Sequence, residues 1–349
     1  MFLIGTGCKN KKNLSNAKKN FKAVEKVCKP PAKARTFWLF SRIFAMNMSL
    51  LVVGSMAFDA IETPFGSTDK IIGGAASYIC LSSSVLHPHI NLVAVVGGDF
   101  PTEFVDTLRQ RGVRTEGLQV LQDRKSFFWK GRYHMDMNTR DTLATELNVL
   151  GDFDPIIPDS YQDSRYVMLG NLSPKVQSTV IERLKNKPEL VVMDTMNFWM
   201  ETAMDDLRHT LTLADVLTIN DEEARQLSGE YSLVKAARKI RAMGPKTLVI
   251  KKGEHGALLF HEDEIFFCPA LPLEDVFDPT GAGDTFAGGF IGYLAAQGRK
   301  DFDAFRQAIV HGSALASFCV EKFGTERIAE ISAEDLQQRI RLFQQLSSF

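Results

Sequence analysis

Short apolar runs rich in Val, Ile and Leu alternate with longer amphipathic stretches from about residue 49 onward. The runs that we predict as strands are Leu50–Val53, Leu92–Val96, Tyr166–Leu169, Leu190–Asp194, Val216–Ile219, Thr247–Ile250 and Ala257–Phe260. The stretches that we predict as helices are Gly74–Leu86, Thr102–Gln110, Lys175–Leu184, Glu222–Leu227, Leu233–Met243, Gly283–Ala296, Ala304–Phe318 and Ala333–Leu346. Apolar strands separated by helices indicate an α/β fold with a doubly wound, mainly parallel sheet flanked by helices. Ligands of such sheets bind at the carboxyl ends of the strands.

One stretch breaks this alternation. Residues 117–149 contain three strand-like runs, Leu118–Leu121, Lys125–His134 and Thr142–Val149, with no helical segment between them. Together with the strand-like residues at about 56–66, they predict a small antiparallel sheet that projects from the main body. We interpret this sheet as a lid, carried by a domain that spans residues 46–349.

The first 45 residues differ in charge from the rest of the chain. They contain eleven Lys and Arg and one acidic residue, Glu25, which gives +10; since the whole chain carries −1, the remainder carries −11. The segment shows no sustained periodicity, which predicts a disordered basic extension. The alternatives are a transit peptide, a tether to nucleic acid or membrane, and a wrongly assigned start, with Met46 or Met48 as the true first residue.

The composition limits the class of protein. The chain is 45% hydrophobic and 24% charged, as soluble globular proteins are, and its acidic body gives no reason to expect nucleic acid as a partner. The five cysteines form no C-x-x-C pair, which favours reduced thiols in a cytoplasmic protein. No apolar run approaches the roughly 20 residues of a membrane span, so no membrane partner is predicted.

The most informative segment is Asp278–Phe290, with the sequence DPTGAGDTFAGGF, which begins an apolar helix. Gly281, Ala282 and Gly283 have little or no side chain, so an anion can approach their backbone N–H groups at the helix N-terminus. Asp284 would repel a phosphate, but its position makes chemical sense if its carboxylate accepts the proton of an attacking alcohol. The alternative is that Asp284 only favours a helix N-terminus and that the glycines let the helix pack closely on the sheet.

This run resembles the C-terminal signature of the ribokinase (PfkB-type carbohydrate kinase) family, and the resemblance extends over roughly Ser49–Phe349. It implies an ATP-dependent kinase that uses Mg²⁺ and phosphorylates an alcohol group. It also implies that Asp284 is the general base and that the Gly281–Gly283 amides stabilise charge on the transferring phosphoryl group. Thr280 then belongs to the nucleotide site.

The sequence NDEE at residues 220–223 directly follows a predicted strand and resembles the N-x-x-E motif of that family. The resemblance implies that Asn220 and Glu223 organise Mg²⁺ and its waters around the ATP phosphates. Mg²⁺ characteristically keeps several waters and takes few protein carboxylates. The same residues also fit an ordinary helix cap with a capping box.

The sequence KKGEHG at residues 251–256 also follows a predicted strand and resembles the K-x-G-x-x-G nucleotide loop of the family. The resemblance implies ATP contacts for Lys251, Gly253 and Gly256, although a plain hairpin turn explains the glycines as well. Ser317 ends a run of small residues, 311–317, in the helix that covers the adenine in relatives. Helix packing alone is the alternative role for this run.

The acceptor end of the site is predicted around residues 73–78, GGAASY, which resemble the family motif G-G-x-x-x-N. In the family, the glycines and the Asn hold sugar hydroxyls, which assigns Gly73 and Gly74 to the substrate. Tyr78 stands where Asn is expected, and this departure argues against ribose or fructose as the default acceptor. Asp59 matches an early Asp of the family whose carboxylate binds two substrate hydroxyls; an ordinary turn Asp is the alternative.

Two further segments supply candidate residues. Asp194 and Asn197 follow a predicted strand at the place where relatives line the phosphate-transfer channel, so we assign both to the substrate. The two aromatic residues after Asn197 are predicted to lie in the core. In the lid, Arg132 or Arg140 is a candidate contact for an anionic substrate or for the ATP phosphates.

The sequence therefore predicts transfer of the γ-phosphoryl group of Mg-ATP to a primary hydroxyl of a sugar or a sugar-like alcohol. An adenosine-type nucleoside kinase, in which Tyr78 contacts the base or ribose, and an inositol kinase are the alternatives among enzymes. A catalytically silent ligand-binding regulator on the same fold is the alternative of another class, but it would have no need of Asp284. The resemblance also suggests a monovalent cation near Asp278, and exposed faces of the lid sheet suggest a homodimer.

Overall fold

The computed structural model describes residues 49–347, so the basic segment 1–45 lies outside the described part of the chain. The strands are β1 (Leu50–Val53), β2 (Ala57–Thr63), β3 (Gly66–Ser67), β4 (Ile71–Gly73), β5 (Ile90–Gly97), β6 (Val113–Leu121), β7 (Phe127–Tyr133), β8 (Arg140–Glu146), β9 (Tyr166–Leu169), β10 (Leu190–Asp194), β11 (Val216–Asn220), β12 (Thr247–Lys251), β13 (Ala257–His261) and β14 (Glu264–Cys268). The helices are α1 (Ala75–Ser84), α2 (Thr102–Gln110), α3 (Pro174–Arg183), α4 (Asn197–Thr202), α5 (Met204–Leu213), α6 (Asp221–Ser228), α7 (Leu233–Arg241), α8 (Ala282–Gln297), α9 (Phe302–Cys319), α10 (Glu326–Glu330) and α11 (Ala333–Ser347). None of the helices in this range is both long and apolar enough to cross a bilayer.

The larger of two sheets has nine strands in the order β14-β13-β12-β11-β10-β9-β1-β5-β6. The seven strands from β12 to β6 in this order pair in parallel. Only β13 and β14, which form a hairpin at one edge, are antiparallel to their neighbours. The mainly parallel sheet that the sequence predicts is therefore confirmed.

Successive side chains of the central strands enter two apolar cores, one on each face of this sheet. Leu50 and Val52 lie in the core shared with α1, α8 and α9, whereas Leu51 and Val53 lie in the core shared with α3, α5 and α7. All four side chains are fully buried. A strand covered by helices on both faces has no solvent side, which explains why these runs are apolar throughout rather than alternating.

The smaller sheet has the order β3-β2-β7-β8, with β4 also paired to β2. Two expectations about it need correction. First, β2 and β7 pair in parallel, so the sheet is mixed, because the chain passes through β5, α2 and β6 of the main body before it returns as β7. Second, residues 117–121 do not belong to the smaller sheet: they form the end of β6, which pairs with β5 in the large sheet.

The carboxyl ends of neighbouring parallel strands bring several candidate residues to one edge of the large sheet. Asp194 ends β10, Asn220 ends β11 and Lys251 ends β12. Asn220 and Lys251 are directly paired in the sheet register. The smaller sheet begins with β2, shortly after the carboxyl end of β1, and so extends from the same edge. This edge is where an open α/β sheet binds its ligand.

Candidate active site

The glycine-rich run lies at the N-terminus of α8, as the sequence predicts. Gly281 is the N-cap residue with a φ of 76°, a left-handed conformation that favours glycine. The three predicted amide donors differ, however, because the N–H of Ala282 donates to the carbonyl oxygen of Pro279 at 3.2 Å. No hydrogen bond within residues 49–347 uses the N–H of Gly281 or Gly283. The amides at this helix end that are free to bind an anion are therefore those of Gly281 and Gly283, whereas the N–H of Ala282 is used in a turn.

Asp284 lies in the first turn of α8, directly beside these amides. Burial, followed by the negative charge of Asp194, raises the pKa of Asp284 to about 7, against the lowering effect of Lys251 and Arg140. A base whose pKa lies near the working pH combines a useful ionised fraction with good proton affinity. The carboxylate can therefore accept a proton from an alcohol close to neutral pH.

Asp59, predicted to lie at the acceptor end, is on β2, and only 5% of its surface is exposed. Its carboxylate fills the place that a side chain at Gly73 would take, since a Cβ there would lie 1.9 Å from Oδ2. The backbone N–H of Gly74 lowers the pKa of this carboxylate. Burial, followed by the charges of Asp278 and Asp284, raises the pKa of Asp59 to about 8. The predicted grouping of Asp59, Gly73 and Gly74 is thus present, and it lies close to Asp284.

Tyr78 projects from the first turn of α1, and its ring packs against Gly281 in the glycine-rich run at residues 281–283. A Cβ at Gly281 would lie 2.3 Å from Cζ of Tyr78, so the phenol ring lies directly against this glycine. The ring is 1% exposed, and its hydroxyl has no hydrogen-bond partner within the described residues. Burial and the nearby charge of Asp59 raise the pKa of Tyr78 well above its usual value. Tyr78 therefore fills space below the anion loop and keeps its hydroxyl protonated.

Lys251 and Asp194 form a buried ion pair, with 3.1 Å between Nζ and Oδ2 and side chains that are 16% and 7% exposed. Lys251 reaches across β11 to make this contact, and its Nζ lies 3.1 Å from the position of a Cβ at Gly283. Although burial disfavours the ammonium, Asp194, Glu223 and Asp284 together raise the pKa of Lys251. A permanent positive charge thus lies beside the free amide of Gly283, where phosphate oxygens would bind.

Asn220 and Glu223 form a complete capping box at the start of α6. The N–H of Glu223 donates to Asn220 Oδ1 at 2.7 Å, and the N–H of Asn220 donates to Glu223 Oε2 at 2.8 Å. Burial raises the pKa of Glu223 to about 7, while the charge of Lys251 lowers it. The capping role that we considered as an alternative is therefore real, but it leaves Oε1 of Glu223 without a hydrogen bond in the described structure.

These residues fit Mg²⁺ bound mainly by phosphates and water. Within the residues that the structure describes, no group of three or more His, Cys, Asp or Glu side chains could form a metal cage. Mg²⁺ commonly uses one or two carboxylates and fills its remaining positions with substrate phosphates and waters. A single available carboxylate oxygen on Glu223, at the same sheet edge as the anion loop, meets that requirement.

Two contacts join the predicted lid to the loops of this site. Tyr133 on β7 accepts a hydrogen bond from Thr280 Oγ1 at 3.2 Å, which ties the lid to the glycine loop. In the turn between β7 and β8, Asn138 lies against the nucleotide loop, since a Cβ at Gly253 would lie 2.3 Å from its Oδ1. Gly256, the second glycine of that loop, packs on the carbonyl oxygen of Cys268. A closed lid of this kind excludes water from a phosphoryl-transfer site.

The structure distinguishes the two lid arginines. Arg132 forms a 2.8 Å ion pair with Glu62 on the exposed face of the lid. Arg140 acts on the pKa values of Asp284 and Glu223, so its guanidinium lies near both carboxylates. Its side chain forms no hydrogen bond or ion pair with any residue of the 49–347 range. Arg140, rather than Arg132, is therefore the lid arginine that acts on the carboxylates of the candidate site.

Three predicted residues lie apart from the cluster. Asn197 is exposed at the start of α4, and its side chain accepts only the N–H of Phe198. Phe198 is 48% exposed, so the expectation that it lies in the core is wrong. Ser317 accepts a hydrogen bond from Arg339 of α11 at 2.9 Å, so its hydroxyl joins two packed helices. Ser313, one turn earlier, contacts the Cys268 side chain beside the Gly256 loop and is the residue of this helix nearer the nucleotide loop.

Comparisons with known proteins agree with this geometry. Residues 47–331 match the model of the pfkB family carbohydrate kinases. The chain is 31% identical over 250 residues to the cytidine kinase of Thermococcus kodakarensis, which covers 70% of this chain and 87% of the relative. It is 27% identical to the nucleoside kinase of Methanothermobacter thermautotrophicus, over 80% of this chain and 92% of the relative.

A solved structure shares the same fold. The crystal structure of a putative ribokinase II from E. coli, in complex with ATP and Mg²⁺, superposes with a TM-score of 0.69 at 18% identity. The match covers 84% of this chain and 99% of that chain. The α/β fold predicted from the sequence, with a large mainly parallel sheet and a smaller sheet, is confirmed.

Proposed function

Because this chain belongs to the pfkB family of carbohydrate kinases, we propose that it phosphorylates a primary hydroxyl of a ribose unit, free or within a nucleoside, with Asp284 as the catalytic base. The chain is an ATP-dependent sugar or nucleoside kinase. One observation carries the assignment of the base. Asp284, whose pKa is about 7, is near enough to Asp59 to raise its pKa and lies in the same helix turn as the free amides of Gly281 and Gly283.

The proposed reaction proceeds in one in-line step. Asp59 and the backbone of Gly73 and Gly74 hold the acceptor by its other hydroxyls, so that the reacting hydroxyl faces Asp284. Asp284 takes the hydroxyl proton while the new O–P bond forms and the bond between the γ-phosphorus and the ADP oxygen breaks. General base catalysis of this kind contributes roughly 10²–10⁴ in rate.

Several groups of the site would stabilise the negative charge that develops on the phosphoryl group. The amides of Gly281 and Gly283 donate to its oxygens, and each such donor is worth roughly 10²–10³ in kcat where it has been removed in other enzymes. Lys251 supplies a fixed positive charge beside them, and Arg140 adds a second one from the lid. Glu223 and the phosphates would hold Mg²⁺, which would supply further charge neutralisation there.

The first experiment is an ADP-release assay with Mg-ATP and a panel of ribose, fructose, inositols and nucleosides. The full chain and Asp284→Asn are compared, with Asp303→Asn as a matched control, because Asp303 is also an acidic residue in the first turn of a helix but is exposed. We expect one class of acceptor to be turned over, with a loss of at least 10²-fold in Asp284→Asn alone. Tight ATP binding with equal background hydrolysis in all three proteins would instead support a silent ligand-binding protein.

Three further properties complete the proposal. Asp278 is fully buried and accepts hydrogen bonds from the N–H groups of Thr280 and Gly324. We place a monovalent cation next to this loop, and K⁺ dependence of turnover tests this assignment.

Leu143 on the lid strand β8 is 42% exposed, and we assign it to a homodimer contact. Leu143→Asp should weaken the dimer in sedimentation velocity. The described cysteines are free and buried, which fits a cytoplasmic protein.

A further inference from the structure

The inner face of the lid carries aromatic and charged side chains in a fixed register. β2 and β7 pair in parallel with Asp59 opposite Trp129, and opposite residues of paired strands project to the same face. Tyr133 and Arg140, which are opposite each other in the β7–β8 pair, also reach the site from this face. Trp129 therefore projects to the same side as Asp59, one strand away from the carboxylate that holds the acceptor.

The indole of Trp129 lies flat on this face because Gly131 has no side chain. A Cβ at Gly131 would lie 2.0 Å from Cη2 and 2.3 Å from Cζ2 of the indole. The other end of the ring is fixed by a hydrogen bond from Nε1 to Thr142 Oγ1 at 3.3 Å. A register shift between Lys130 and Gly131 sets Thr142 opposite Gly131, within reach of that nitrogen. One face of the ring is thus pressed on the strand, and the ring lies on the side of the sheet that carries Asp59.

We propose that Trp129 is a stacking platform for the base of a nucleoside, so that the acceptor of this kinase is a nucleoside rather than a free sugar or an inositol. This inference rests on the proposed function. A ribose unit held by Asp59 leaves the neighbouring indole uncovered. A base attached to that ribose extends beyond it and covers the ring. Base stacking on an aromatic side chain accepts every base, so Trp129 selects the class of acceptor and not the identity of the base.

The position of the Trp129 indole depends on the absence of a side chain at Gly131. A methyl group at Gly131 must displace the indole, because the ring already occupies that space. Gly131→Ala should therefore reproduce the effect of Trp129→Ala while the tryptophan is still present. The double variant should lose no more than either single variant, since both changes remove the same platform.

The test compares nucleosides with ribose in steady-state kinetics. We expect Trp129→Ala and Gly131→Ala to raise KM for cytidine, adenosine or inosine by roughly 5- to 150-fold, the usual range for the loss of one base–aromatic stack. KM for ribose should stay unchanged, and Trp129→Phe should keep most of the nucleoside affinity because it keeps a ring. Equal losses for ribose and nucleosides would overturn the proposal and leave Trp129 a structural residue of the lid.

A binding measurement separates this inference from the proposed function. The chain has three tryptophans, Trp38, Trp129 and Trp199, so nucleoside titrations can be followed by intrinsic fluorescence without turnover. Trp199→Phe is the matched control, since this indole is held elsewhere by Asn171 at 2.8 Å. Quenching by nucleosides in the full chain and in Trp199→Phe, but not in Trp129→Phe, supports the platform even if no acceptor is phosphorylated. Efficient turnover of ribose or an inositol with no quenching by any nucleoside would refute it and leave the kinase assignment intact.

Discussion

The buried pair of Lys251 and Asp194 gives the sharpest prediction about stability and catalysis together. Lys251→Met removes the only described ion-pair partner of Asp194, whose side chain is 7% exposed. Removing one partner of a buried ion pair typically costs about 3–5 kcal/mol, because the remaining charge is left without compensation. The exposed pair of Lys239 and Glu230, whose lysine side chain is 53% exposed, should contribute at most about 1 kcal/mol.

The assay is urea unfolding of the full chain, Lys251→Met and the control Lys239→Met at one pH. A change in the midpoint with an unchanged slope reports a change in the free energy of unfolding. Asp194→Asn combined with Lys251→Met should recover part of the loss, since the Asp194 carboxylate is then no longer left buried without its partner. If Lys251→Met costs no more than Lys239→Met, the view that this buried pair is structurally important is wrong.

The same substitution has a separate kinetic signature. Lys251 lowers the pKa of Asp284, so its removal should move the acid limb of the kcat/KM profile to higher pH than about 7. Activity lost at pH 7 should therefore return in part at pH 8.5. A uniform loss at every pH would show that Lys251 acts on phosphate binding alone and has no effect on the base.

Three further outcomes follow from the site. With a pKa of about 7, Asp284 is protonated below pH 7, so kcat/KM should fall tenfold per pH unit below pH 7 and level off above it. A flat kcat/KM profile between pH 5.5 and 8 would exclude Asp284 as the base. The pKa of Asp59 is raised from 3.8 to about 8, so this residue contributes stability that is present below pH 3.8 and lost as pH rises to about 8. Asp59→Asn should therefore stabilise the protein against urea at pH 8.5 by up to roughly 5 kcal/mol. The same substitution should abolish acceptor binding. Tyr133→Phe removes the hydrogen bond from Thr280 and should raise the ratio of ATP hydrolysis to phosphoryl transfer, measured as ADP release without acceptor; an unchanged ratio would show that this bond does not hold the lid closed.

Local sequence was sufficient where one segment builds its own geometry. The run at residues 278–290 combines a turn, a helix start and an acid within a few positions, so the places of Gly281, Gly283 and Asp284 follow from the segment itself. Asn220 and Glu223 are similar, because a capping box joins residues only three positions apart. Even here one detail escaped prediction: the turn from Pro279 that takes the N–H of Ala282 depends on backbone angles that residue types do not specify.

Contacts between distant segments were the part that could not be predicted. Asp194 and Lys251 were assigned to opposite ends of the site, and their pairing depends on β10 and β12 lying on either side of β11. The assignment of residues 117–121 to the lid failed for the same reason, since no residue type distinguishes the end of a buried strand from the start of a projecting one. Arg132 and Arg140 are equivalent in sequence, and only the lid register shows which of them faces the carboxylates.

The crowding of acids at the acceptor end explains how the site distinguishes its ligand from water. Burial raises the pKa of Asp59, and the charges of Asp278 and Asp284, which lie nearby, raise it further. Three ionised carboxylates in this space are unfavourable until hydrogen-bond donors arrive, because burial removes the water that would solvate them. An acceptor with several hydroxyls supplies those donors in a fixed arrangement, whereas water entering alone satisfies one carboxylate at a time. Binding of the acceptor should therefore lower the pKa of Asp59 and prepare Asp284 to act on the one hydroxyl that faces the phosphate.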